Sequence, residues 1–296
     1  MKTKILFLIL LTAPLGLSAK VAEASASAGA SIDSISPSAD FEYELGKKNL
    51  HGRGVEKDPE KALEHFKKAT ELGHIEAPGA IGYFYSAGLV VEKDDAKAAE
   101  WFQKGSEKGS ALAKFNLGRL YIDGKGGLSG ADNGVDLMEE AAAMGLPEAH
   151  TALAEIYFLG LFNDQHLPDY AKAVPHVKAA ATNGEPAAIN MLGVMKQSGL
   201  GFEKDDKGAE DCFRRAAMKG DFKAPSNLGH LLNPESKNRS RRVEAAAWLI
   251  IAASHGEPMA TRKIAELEQA MSKKDLSASQ HKAVELQAEI TRMGAN

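Results

Sequence analysis

Beyond residue 39 the apolar positions follow a helical period, as in Ala62, Phe66 and Ala69, in Ala98 and Phe102, or in Ala209, Phe213 and Ala216. Gly-rich turns separate these runs, so the pattern predicts consecutive pairs of amphipathic helices and no strands. The pairs repeat. First helices carry Leu45-Gly46, Ile81-Gly82, Leu117-Gly118, Leu153-Ala154, Leu192-Gly193 and Leu228-Gly229, and second helices end at Gly73, Gly109, Gly145, Gly184, Gly220 and Gly256. The glycines step by 36 residues (109 − 73), except for 39 (184 − 145) where the loop LFNDQHLPDY is longer. A surface loop tolerates such an insertion at little cost. One helix pair cannot enclose its apolar face, so a fixed period of this kind marks an array stabilised by stacking.

Each recurrent position has a physical role. Ala77, Ala113, Ala149, Ala188, Ala224 and Ala260 stand four places before the marker Leu or Ile, and with the following Gly they let a neighbouring helix approach closely. Phe84, Leu120, Ile156, Met195, Leu231 and Leu267, three places after the marker, should fill a shared core. The turns read Gly52-Arg53-Gly54-Val55 and Gly199-Leu200-Gly201-Phe202, where glycine permits positive φ and the apolar residue after it is expected to plug the helix pair. Asp58-Pro59, Asp94-Asp95 and Asp205-Asp206 open the second helices as N-caps. No strand precedes any of these glycines, and neither phosphate-binding spacing is present.

The expected units are 39–73, 74–109, 110–145, 146–184, 185–220 and 221–256, followed by a partial unit at 257–271. Residues 272–296 then form a closing helix with Ala283, Leu286 and Ile290 on one face, and Ser277 or Ser279 is the expected N-cap.

Composition adds two points. The net charge of −4 provides no global field for nucleic acid or an acidic membrane surface. The single cysteine, Cys212, excludes an intrachain disulfide, and it is read as half-buried and unreactive, with no His or Lys placed to activate it. The N-terminus changes the picture more. Two lysines, an apolar run from Ile5 to Leu17 and small residues have the layout of a secretory signal peptide over 1–24, cut after Ala24 or, as a second candidate, Ala19. An Ala/Ser-rich leader, 25–38, would follow. The expectation is a bacterial periplasmic or secreted protein with no membrane span after cleavage, monomeric by preference.

The pattern carried by Ala113, Leu117, Gly118, Tyr121, Gly124 and Gly126 in one half, and by Asp94, Lys97, Ala98, Phe102, Lys104 and Gly109 in the other, resembles the Sel1-like repeat, a relative of the tetratricopeptide repeat. That resemblance implies an all-α, right-handed α/α superhelical solenoid of about six helix-turn-helix repeats, whose concave groove receives another protein. Exported bacterial members act as adaptors in signalling, envelope organisation, host interaction or toxin neutralisation. Cys-rich members have been described as β-lactamase-like penicillin binders, but this chain lacks their cysteine pairs.

No catalytic constellation or cofactor motif is present, and none is expected. His65 and His176 read as scaffold variants; His166 beside Asp164 is either a metal contact or a solvated loop histidine. Candidate binding residues come from the two first-helix columns placed two before and two after the marker, about 160–200° from it. Tyr43, Phe115 and Asn190 belong to the first column, and Lys47, Tyr83, Arg119, Glu155 and His230 to the second, with Asn116 and Asn227 bordering them. Tyr43, Tyr83 and Phe115 either line the groove or pack between adjacent first helices. Arg239, Arg241 and Arg242 are either a solvated charge run or a site for an acidic partner. The expected function is a non-enzymatic adaptor for a protein or peptide, as an envelope regulator or an immunity protein. The alternative is a β-lactamase-like or cell-wall-directed hydrolase.

Overall fold

The structure is a computed structural model that describes residues 38–161 and 167–294. The proposed signal peptide, the leader up to residue 37 and the Asp164-His166 pair lie outside the described residues. Six helix pairs follow in order: α1 (Ala39–His51) with α2 (Pro59–Glu71), α3 (Ala77–Ala87) with α4 (Asp95–Glu107), and α5 (Ala111–Asp123) with α6 (Ala131–Ala143). Next come α7 (Pro147–Leu159) with α8 (Tyr170–Thr182), α9 (Pro186–Ser198) with α10 (Asp206–Met218), and α11 (Ala224–Leu232) with α12 (Arg239–Ser254). Each second helix also packs on the next first helix, and α3 touches α5 directly, so the helices form two layers of a solenoid. Among the described residues every regular element is helical.

Capping chemistry sets the helix starts. The Asp58, Asp94, Asp169 and Asp205 carboxylates accept main-chain N–H bonds at the starts of α2, α4, α8 and α10. The residue just after a terminal glycine does the same for first helices, with Ser110, Asp221 and Glu257 accepting from Ala113, Ala224 and Ala260.

The marker glycine is required by its mate on the second helix. A Cβ on Gly46 would lie 2.6 Å from the Phe66 ring, one on Gly82 2.7 Å from Phe102, and one on Gly193 2.6 Å from Phe213. In the fourth pair the marker is followed by Ala154, and the aromatic position is taken by Val177; both are fully buried. Volume gained on one helix is thus given up on the other.

The second turn glycine, as in Gly54 (φ 74°) and Gly201 (φ 69°), is replaced in the second pair by Val90, held at φ 51° with 42% of its surface exposed. A left-handed β-branched residue costs about 1–2 kcal/mol. Val90→Gly should therefore raise stability by about 0.5–1 kcal/mol after the added chain entropy of glycine, read as a higher urea midpoint. The residue after these glycines is less uniform than expected. Val91 packs on the N-terminal core and Phe202 lies beneath Lys178 of the preceding pair, but Val55 is exposed. Plugging takes place against an earlier helix pair, and Val55 belongs to the first.

The C-terminal helices depart from the array. After α13 (Pro258–Ala270), α14 (Lys273–Gly294) packs on α12 and α10. Ala283, Leu286 and Ile290 share the expected face and join the core of Phe213, Trp248 and Cys212. The expected serine cap is corrected: the helix begins earlier, the Ser272 hydroxyl accepts from the Asp275 N–H, and Ser279 is a buried interior residue bonded to the Asp275 carbonyl. Cys212 is likewise more buried than expected, at 3% exposure, because α14 covers the second-helix column that leaves Trp101 half-exposed in the second pair. Burial pushes the Cys212 thiol pKa up, which keeps it protonated and unreactive.

The arginine run holds this closure in place. Arg239 Nε and Arg242 Nη2 each donate to the nearly buried Asp275 carboxylate at 2.7 Å, while Arg241 pairs with Glu210. Hydrogen bonds from Arg242 and Arg239 hold the Asp275 carboxyl below its ordinary value of 3.8. A depressed carboxylate contributes stability that is present above the ordinary value and lost as the pH falls through the lowered one. Asp275→Asn should lower Tm at neutral pH and flatten the decline of Tm below about pH 4, as scanning calorimetry of the full chain would show.

Candidate partner-binding face

The first helices present one face that is free of second helices, and its two candidate columns have different fates. Residues two places before the marker form the seam to the next unit. Tyr43, 8% exposed, stacks on His74 at 4.0 Å and leans on Phe66; a Cβ on Gly79 would meet Ala113 at 3.4 Å. Asn227 donates to Asn190 at 2.8 Å, and Ser226 donates to Glu257 at 3.3 Å. Phe115, in the same column, is 1% exposed. The expectation that this column faces away from the core is therefore corrected. A first helix in an array is contacted by its own second helix, the preceding second helix and the neighbouring first helix, so its buried arc exceeds that of an isolated amphipathic helix. For Tyr43 and Phe115, packing is the alternative the structure realises.

The column two places after the marker stays accessible. Lys47, Tyr83, Arg119, Glu155 and Val194 are half-buried, and His230 is exposed. Lys47 lies 5.1 Å over the Tyr43 ring and pairs with Glu44 at 2.6 Å, and Tyr83 rests against the N-terminal core. Asn116 and Asn227 are half-buried at the border. The structure therefore brings Lys47, Tyr83, Asn116, Arg119, Glu155, Asn227 and His230 to one face, with Tyr43, Phe115 and Asn190 in the seams beneath it.

Charge on this face is uneven. Burial raises the Glu155 pKa above its ordinary value; Lys223 opposes the shift and Glu185 adds to it. Away from this face, His65 bonds Glu42 at 2.6 Å and His150 bonds His176 at 3.0 Å. Tyr157 stacks on His176 and donates to Glu139. Burial, with the neighbouring His150, lowers the His176 pKa. His65 and His176 thus act in packing within their own helix pairs; the partners Glu42 and His150 lie 23 and 26 residues away, beyond the reach of a local pattern. Among the described residues no group of three or more His, Cys, Asp or Glu side chains is placed to hold a metal ion, and no helix is long and apolar enough to cross a membrane.

A two-layer helical solenoid with a closely packed glycine at every helix-pair crossing but the fourth defines a repeat scaffold, and comparison with known proteins specifies which. The model of the Sel1 repeat matches residues 39–74, 80–110, 111–146, 147–185 and 186–221, and the chain belongs to that family. The structure is similar to the protective antigen c5321 of uropathogenic Escherichia coli, which displays an SLR fold (TM-score 0.73, 25% identity, 87% of this chain and 55% of that one). It is also similar to a Sel1 repeat protein from Oxalobacter formigenes (TM-score 0.61, 25% identity, 74% and 89%). An uncharacterized protein of Neisseria meningitidis serogroup B is 30% identical over 63% of this chain and 30% of its own length. DAP3-binding cell death enhancer 1 of Rattus norvegicus is 34% identical over 36% of this chain and 20% of its own. The chain thus spans less than a third of these curated relatives. The Sel1 repeat is a protein-interaction fold, and its members bind protein partners.

Proposed function

We propose that the chain is an exported, non-enzymatic scaffold that holds a protein or peptide partner against its first-helix face, as an envelope adaptor or a toxin-neutralising protein. The observation that carries this reading is the division of labour on the first helices. One column is used up in joining units, whereas the column with Tyr83, Arg119 and His230 does not repeat from unit to unit and remains partly or fully accessible. Aromatic and arginine side chains so placed are favoured anchors of protein interfaces. The signal-like N-terminus supports export. The test is capture of partners from envelope extract by the wild type and by the double variant Tyr83→Ala/Arg119→Ala. The variant should lose at least about tenfold in affinity for the captured partner while its helical content is retained. Undiminished binding would move the interface elsewhere on the molecule.

A further inference from the structure

The accessible face changes character between its two halves. Toward the N-terminus it is aromatic and basic, with Tyr83, Lys47 and Arg119; over α7, α9 and α11 it becomes a hydrogen-bonding surface around one unpaired carboxylate. Glu155 of α7 is half-buried and makes no hydrogen bond or ion pair with a described residue. Such a carboxylate has given up part of its hydration without gaining a partner, and a cation brought to it recovers the loss. Lys223 acts on it from a distance but forms no ion pair with it, and its ammonium lies over the Phe222 ring at 5.5 Å.

Two charged neighbours place Glu155 relative to the following units. It interacts electrostatically with Glu185 and Lys223, the N-cap residues of α9 and α11. About one turn further along those helices stand Asn190 and Asn227, joined by their single amide bond. Asn190 is only 7% exposed, yet its second amide atom is neither bonded to a described residue nor sealed from solvent. Whichever way round the two amides are oriented, one bond between them leaves one N–H donor group and one carbonyl acceptor unused. An N–H donor beside a carbonyl acceptor is the complement of a main-chain peptide unit.

We infer that the segment bound here is an extended peptide bearing a lysine or arginine, its cation seated against Glu155 while a main-chain amide engages the Asn190–Asn227 pair. This rests on the reading of the first-helix face as the binding face, and it names the chemistry of the occupant. An acidic peptide would add charge to a carboxylate that already lacks a partner. A purely apolar one would leave both Glu155 and the asparagine pair unsatisfied.

Random peptides of about a dozen residues, displayed on phage, are selected against the full chain, and the enriched sequences are synthesised for affinity measurement on the wild type and on Glu155→Gln. The expected result is a Lys or Arg at one fixed position, with affinity falling at least about tenfold on Glu155→Gln and the discrimination between Arg and Ala peptides lost in that variant. Glu155→Gln should keep or raise Tm, because burial already disfavours the charged form, so a loss of binding is separable from a loss of fold. Enriched peptides without a fixed basic residue, yet weakened by Tyr83→Ala/His230→Ala, would overturn this inference and leave the binding face intact. Peptides indifferent to every first-helix-face substitution, or no enrichment at all, would overturn both.

Discussion

Gly118→Ala should destabilise the array by about 2 kcal/mol, although alanine is the better helix former. The added Cβ would stand 2.6 Å from the Gly134 carbonyl oxygen and 3.1 Å from Met138. Gly134 on α6 is in turn pressed against the Gly118 carbonyl, so the two backbones meet without intervening side chains. Alanine in place of glycine contributes up to about 1 kcal/mol of helix propensity. Forcing a methyl into a packed crossing costs about 1–3 kcal/mol, and a helix-bonded carbonyl cannot swing aside as a side chain could. Each unit leans on its neighbours, so loosening α5 from α6 in the middle of the array should also broaden the urea transition. Circular dichroism during urea unfolding would decide the matter: a Gly118→Ala midpoint at or above that of the wild type means that α5 and α6 can part without loss.

The second large effect is expected at the Phe213–Gly193 crossing. Phe213 is fully buried in the C-terminal core, and a Cβ on Gly193 would come 2.6 Å from its ring. Phe213→Ala should cost about 3–5 kcal/mol through lost transfer and a cavity. Gly193→Ala alone should cost about 1–3 kcal/mol through crowding. The chain already contains the compensated form of this pair, Ala154 with Val177, both fully buried at the equivalent crossing. The combination Gly193→Ala/Phe213→Val should therefore be less destabilising than the sum of its single changes by about 1 kcal/mol or more. Strict additivity in that double-mutant cycle would show that glycine and aromatic ring are not matched across the crossing.

The legible features were those written in short-range terms. Asp58, Asp94 and Asp205 cap the helices that they precede, and the alanines four places before the marker are buried in every unit after the first. These follow from hydrogen bonds and steric contacts within one turn or one helix pair. The binding face was only half legible. Tyr43, Phe115 and Asn190 occupy a column that an isolated helix would expose, but Tyr43 and Asn190 each have a neighbouring unit against them and Phe115 is buried. Tyr83, Glu155 and His230, in the column one turn further along on other first helices, keep the accessibility that their spacing indicates.

The arginine run illustrates the same limit. As a sequence, Arg239 to Arg242 is a cluster of charge; its meaning depends on Asp275, which lies 36 residues from Arg239 and 33 from Arg242. Ser277 and Ser279 resemble caps, yet Ser272 starts the helix, and Asp275, held by Arg239 and Arg242, lies within its first turn.

By itself the sequence determined the all-helical repeat, its period, its turns and its caps, because each depends on dihedral preferences and hydrogen bonds among residues a few positions apart. The tertiary structure alone decided which surfaces remain open. It placed α14 over the second helices of the last two pairs, buried Cys212 and Trp248 beneath it, drew one first-helix column into the seams and left Glu155 without an ion pair among the described residues. Burial is set by how many neighbours surround a helix, and in a stacked array those neighbours come from units some 36 residues apart (109 − 73), which no local period can count.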